Sequence, residues 1–128
     1  MARARGRERS RILVVEDDNP ARELLVEVLG RWGYHVQSAQ DGGQAWNLLD
    51  EEPRYDLVIT DLNMPVLDGL ELLQRIRERS LPVEVILLTN APGHGVVTRA
   101  QELGAFAILA KPHDLEELLR TVQLALQR

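Results

Sequence analysis

Five short apolar runs alternate along the chain with five stretches whose apolar residues recur every three or four positions, and this alternation constrains the fold more than any other feature. The runs are ILVV (12–15), HVQSA (35–39, the weakest), LVIT (57–60), VEVILLT (83–89) and AFAILA (105–110). Most are continuously apolar, as strands are when a parallel sheet is covered on both faces. Between them, Leu24/Leu25/Val28/Leu29, Ala45/Leu48/Leu49, Leu72/Leu73/Ile76 and Leu115/Leu118/Leu119/Val122 each space out one buried helical face. The fourth helix carries only Val96, Val97, Ala100 and Leu103, and NAPGHG (90–95) is expected to delay its start. Strict strand–helix alternation with right-handed crossovers predicts an α/β fold. Its form is a doubly wound, five-stranded parallel sheet in flavodoxin-like (βα)5 order, with three α/β/α layers.

Helix starts are written in capping chemistry. Asn19 before Pro20 reads as an N-cap followed by a first-turn proline. Asp41-x-x-Gln44, Asp68-x-x-Glu71 and Asp114-x-x-Glu117 fit capping boxes with Asp in place of Ser or Thr.

A chain of 128 residues, 45% of them hydrophobic, can bury one core but not two of ordinary size. No apolar run reaches the roughly 20 residues of a membrane span, and the N-terminus lacks a secretory apolar stretch, so a cytoplasmic, non-membrane protein is expected. Residues 1–11 hold five Arg against one Glu, net +4, within a total of −5, which leaves −9 for the rest. Without aromatic interleaving or an apolar face, residues 1–10 read as a disordered Arg-rich leader, not as a nucleic-acid or lipid-binding arm. The working domain is then 11–128. Of the fifteen basic residues only Lys111 is lysine, which singles out a position suited to a compact ammonium.

In an open parallel sheet, ligands bind beyond the carboxyl ends of the strands. Here those ends carry Glu16-Asp17-Asp18, Asp61, Thr89 and Lys111-Pro112. Crowded carboxylates repel one another, and a hard divalent ion removes the conflict. Oxygen ligands without Cys or clustered His favour Mg²⁺, with Mn²⁺ as the alternative, over zinc. Thr89 and Lys111 suit phosphoryl oxygens. The set has the parts for phosphoryl transfer to a carboxylate: a nucleophilic Asp, a metal, an ammonium and a hydroxyl. Asp18 points away from its neighbour and is left out of the metal shell.

ILVVEDD, DLVITDLNMPVLDG, ILLT and KPHDLEELL, in that order over roughly residues 11–127, resemble the receiver domain of two-component response regulators. The resemblance implies that Asp61 accepts a phosphoryl group from a phosphohistidine on a sensor histidine kinase or histidine phosphotransfer protein, or from a small phosphodonor. It also implies Mg²⁺ held by Asp17, Asp61 and the Asn63 backbone carbonyl, with Glu16 acting through water. Thr89 becomes the switch hydroxyl and Lys111 the partner of the acyl phosphate. Such a domain regulates; it is not an enzyme turning over a separate metabolite. Its output passes through the face of the fourth helix, fifth strand and fifth helix, to an output domain or a second copy.

Two positions depart from that pattern. Ile108 stands where the family commonly has Tyr or Phe, and Phe106 is expected on the same strand face two residues earlier. Asn90 follows Thr89 where Ala or Gly is usual, and its amide can narrow the site or bond the phosphoryl group. Pro92, Gly93 and Gly95 suggest a mobile loop before the fourth helix. His94 there reads as solvated, His35 and His113 as structural, and Trp32 and Trp46 as helix residues that pack. The competing class is a receiver-like interaction module switched weakly or not at all. An aspartate-nucleophile phosphohydrolase would place Asp where Asn63 stands and add a cap domain; an FMN carrier would not end its first strand in acids.

Overall fold

A computed structural model describes residues 10–51, 54–90, 93–111 and 114–127. The elements are β1 (Arg11–Val15), α1 (Asn19–Arg31), β2 (His35–Ala39), α2 (Gly42–Glu51), β3 (Leu57–Asp61), α3 (Gly69–Glu78), β4 (Glu84–Thr89), α4 (His94–Glu102), β5 (Ala107–Ala110) and α5 (Leu115–Leu126). The five strands form one parallel sheet in the order β2-β1-β3-β4-β5. This is the doubly wound flavodoxin-like arrangement expected from the alternation. Order reverses at β1 and β3, so the two acid-tipped strands lie side by side, with Val15 level with Thr60.

Side-chain alternation divides the core into two layers. Leu13, Val15, Val58, Val85 and Leu87 meet Ala45 and Leu49 of α2, Leu72, Leu73 and Ile76 of α3, and Ala100 of α4. Ile12, Val14, Leu57, Ile59, Ile86, Leu88 and Leu109 meet Leu25 and Leu29 of α1 and Leu118, Val122 and Ala125 of α5. The strands β1, β3 and β4 are covered on both faces, hence their continuous apolar runs. Edge strand β2 alternates exposed and half-buried residues, which explains its weak sequence signal.

Several local expectations need correction. Asp18, not Asn19, caps α1: its carboxylate accepts the Ala21 N–H at 2.9 Å, and Asn19 is already helical. The Asp68–Glu71 capping box is complete. In α2 Asp41 accepts the Gln44 N–H, but the Gln44 amide oxygen reaches back to the N–H of Gln40. Asp114 is satisfied by the N–H of Glu116 and not by that of Glu117. The NAPGHG segment does not postpone α4, which begins at His94 with Gly93 as a cap that offers no side chain. Strands β4 and β5 begin at Glu84 and Ala107, one and two residues inside their apolar runs.

Phe106 lies before β5 and packs with the α1/α5 layer, whereas Ile108 packs with the α2–α4 layer. The same-face expectation fails because strand alternation starts only at Ala107. Trp32 lies one residue past α1 as its C-cap, and both tryptophans are half-buried; Arg79 stacks 5.5 Å from the Trp46 ring and ion-pairs with Asp50. His35 is exposed at the start of β2, and its N–H bonds the carbonyl of the buried Ser10. His94 is exposed. Pro92, Pro112, His113 and residues 1–9 of the leader lie outside the described residues. Among the described residues no helix is long and apolar enough to cross a membrane.

Candidate functional site

Beyond Val15 the chain keeps one more sheet bond, as Glu16 N–H donates to the Ala39 carbonyl at 3.1 Å. The Glu16 carboxylate is then held twice. Oε1 accepts from Lys111 Nζ at 2.8 Å and Oε2 from the Asp18 N–H at 3.1 Å. Asp18 itself is committed to capping α1. Asp17, between them, is exposed, and its carboxylate makes no hydrogen bond or ion pair among the described residues.

Asp61 ends β3, buried beside Glu16. Its Oδ2 lies 3.2 Å from Lys111 Nζ, and its Oδ1 accepts the Asn63 N–H at 3.3 Å. Glu16, Asp61 and Lys111 follow Val14, Ile59 and Leu109 by two residues and therefore project to the α1/α5 side of the sheet. Burial alone would lower the Lys111 pKa. The hydrogen bond and charge of Glu16, with the charge of Asp61, outweigh it and raise the ammonium above its ordinary 10.5.

Carboxylate oxygens of Glu16, Asp17 and Asp61 lie within 4.8 Å of one another. One ammonium among three carboxylates leaves two negative charges unbalanced, which suits a divalent oxygen-seeking cation. An open cleft of about 710 Å³ lies over this group; Asn63 and Asn90 line one part of it, and Ala21, Leu24 and Leu115 make an apolar wall.

Thr89 is fully buried at the end of β4 and is not among the residues lining the cleft. Its carbonyl accepts the Lys111 N–H at 2.7 Å. By alternation Thr89 follows Val85 and Leu87 toward the α2–α4 layer, the layer that also holds Ile108. The structure thus gathers Glu16, Asp17, Asp61, Lys111, Asn63 and Asn90 on one cleft and leaves Thr89 and Ile108 on the other side of the sheet.

The loop after Asp61 folds back on the strand end. Leu62 N–H bonds the Leu88 carbonyl at 2.8 Å, and Gly69 N–H bonds that of Leu62 at 2.9 Å. A Cβ on Gly69 would come within 2.7 Å of the Asp61 carbonyl oxygen, so only glycine fits. At the loop's tip Val66 has φ 74°, a conformation costly for a β-branched residue, and is 79% exposed. Its side chain sits over Gly43 of α2, where a Cβ would meet it at 3.0 Å.

Strand-end reading did not single out Arg22. Its Nη1 donates to the Glu16 carbonyl at 2.9 Å and its Nη2 to Asn19 Oδ1 at 2.6 Å. The available signal was its place in the first turn of α1, three residues beyond Asn19, from which a long side chain reaches back over the helix N-terminus.

The sequence of residues 12–123 matches the family model described as response regulator receiver domain. Sporulation initiation phosphotransferase F of Bacillus subtilis (strain 168) is 35% identical over 113 residues, 88% of this chain and 90% of that protein. Response regulator MprA of Mycolicibacterium vanbaalenii is 39% identical over 92% of this chain, which spans 51% of that longer protein. Among solved structures, the non-phosphorylated HemR receiver domain of Leptospira biflexa superposes with a TM-score of 0.86 at 33% identity, covering 93% of this chain and 95% of that one.

Proposed function

This chain belongs to the response regulator receiver domain family of two-component systems, and on that premise we propose that Asp61 is its phosphoacceptor. The observation that carries the assignment is the placement of Asp61 Oδ2 at 3.2 Å from the Lys111 ammonium, itself 2.8 Å from Glu16, with Asp17 beside them.

An Asp61 carboxylate oxygen attacks phosphorus, the P–N bond of a phosphohistidine breaks, and its electron pair returns to the imidazole nitrogen. The donor is a sensor histidine kinase, a histidine phosphotransfer protein or a small phosphodonor. Lys111 compensates charge gathering on the phosphoryl oxygens. Glu16, Asp17, Asp61 and the Asn63 carbonyl are the residues that would hold Mg²⁺. That ion supplies Lewis-acid charge neutralisation when bound. Asn63 is neutral and cannot act as a general base, which suits an acyl phosphate that persists. Thr89 is the switch hydroxyl, and Asn90 at the cleft modulates access.

A phosphoryl group adds nearly two negative charges and three acceptor oxygens to a site already rich in carboxylates. The change biases Thr89, then α4 and the α4–β5–α5 face, toward an output domain or a second copy. The compartment implied by this chemistry is the cytoplasm. A weakly switched interaction module is not favoured, because Glu16, Asp17, Asp61 and Lys111 converge on one cleft.

The test is intact-mass labelling with acetyl phosphate. One phosphoryl group should add in Mg²⁺, none in EDTA, and none to Asp61→Asn. Undiminished labelling of Asp61→Asn would remove the assignment.

A further inference from the structure

The peptide bond between Glu16 and Asp17 joins two of the three acids, and being planar it turns as one body. Wherever its carbonyl points, the Asp17 N–Cα bond, and with it the exit direction of the Asp17 side chain, follows. Sheet pairing fixes Glu16 through its N–H, but the strand stops there, and the carbonyl beyond has left the ladder. Its hydrogen-bond partner is Arg22 Nη1, at 2.9 Å.

The same guanidinium is braced by its second nitrogen, Nη2, on Asn19 Oδ1 at 2.6 Å. Two rigid prongs, one on the loop and one on the first turn of α1, tie the acidic segment to the helix. Asn19 is thereby accounted for as a brace, the capping role having gone to Asp18. A lysine has the charge but not the fork and can take only one of these partners.

We propose that Arg22 is a positioning residue for the metal-binding acids: it fixes the Glu16–Asp17 peptide so that both carboxylates are preorganised, and it touches neither metal nor phosphoryl group. The proposal rests on the Mg²⁺ reading of the acid cluster. It differs in sign from a purely electrostatic role. A cation beside the acids would compete with Mg²⁺, so a charge-only Arg22 would tighten Mg²⁺ binding when removed and would be replaceable by lysine. A positioning Arg22 weakens binding in both variants.

The experiment is calorimetric titration of the full chain with MgCl₂, for parent, Arg22→Lys, Arg22→Gln and Asn19→Ala, with thermal unfolding in EDTA as the folding control. Loss of an orienting partner of metal ligands typically costs 10–100-fold in affinity, and both Arg22 variants should weaken Mg²⁺ by roughly ten-fold. Asn19→Ala should move the same way by less. Acetyl-phosphate labelling should need correspondingly more Mg²⁺ yet reach the parent's plateau rate, a rescue that a general folding defect would not show. Should Arg22→Gln not fold, Arg22→Lys and Asn19→Ala carry the same comparison. Parent-like affinity in Arg22→Lys, or tighter binding in Arg22→Gln, overturns the positioning role while leaving the metal site standing. A parent that binds no Mg²⁺ overturns both.

Discussion

Lys111 Nζ stands closer to Glu16, at 2.8 Å, than to Asp61, at 3.2 Å, so the chain's one lysine is shared between two buried carboxylates. Its raised pKa makes it a stabilising group with a definite pH window. The contribution is fully present below the unfolded value of 10.5 and is lost as pH rises through the higher folded value. Thermal unfolding against pH should show a drop above 10.5 in the parent. Lys111→Met should lose roughly 2–3 kcal/mol at neutral pH in EDTA, because two buried carboxylates are left uncompensated, and its curve should lack that alkaline drop. An identical alkaline drop in the variant would assign it to other groups.

Asp17 is the exposed acid of the cluster, set beside the buried carboxylates of Glu16 and Asp61. Asp17→Asn should therefore unfold slightly later than the parent in EDTA, since like-charge repulsion is relieved. In excess Mg²⁺ the order should reverse. The parent gains stability by mass action as the native state binds the ion, and the variant gains little. Differential scanning calorimetry in the two buffers checks both signs; a parent indifferent to Mg²⁺ contradicts the expected metal site.

Val66 combines φ 74° with 79% exposure, so its strain is not offset by burial. Asn tolerates the left-handed region far better than a β-branched residue, and Val66→Asn should stabilise by about 1 kcal/mol. Urea unfolding gives the comparison, and a destabilised variant would mean that the contact of Val66 over Gly43 outweighs the strain.

Asn90 lines the same cleft as Lys111 and Asp61, and the proposed role of its amide is to narrow the approach to Asp61. Asn90→Ala should label faster with acetyl phosphate, by several-fold, with unchanged stability. An unchanged labelling rate would show that the amide does not control access.

The layered fold was legible because most of its strands are buried on both faces and therefore read as unbroken apolar runs. Strand ends then gathered Glu16, Asp17, Asp61 and Lys111 without coordinates, since parallel strands all point their carboxyl ends one way. What escaped was whatever depends on a single residue's offset. Asp18 took the cap from Asn19 because Asn19 is already inside the helix. Phe106 changed layers because β5 begins one residue later. Arg22 escaped for a different cause: its partner is a main-chain carbonyl, which has no letter in the sequence, and its place in the first turn of α1 was only an indirect signal.

The sheet itself separates two compartments of the molecule. Asp61, Glu16 and Lys111 face one side, whereas Thr89 and Ile108 belong to the other. Between them lies a layer of buried, mostly aliphatic side chains that also includes the Thr60 hydroxyl, which donates to the Asp61 carbonyl at 2.9 Å. At the carboxyl edge of the sheet the two sides are stitched by the 2.7 Å bond from the Lys111 N–H to the Thr89 carbonyl, a link through which the phosphoryl group proposed for Asp61 would be felt on the Thr89 side. Lys111 thereby holds one compartment with its side chain and the border of the other with its backbone.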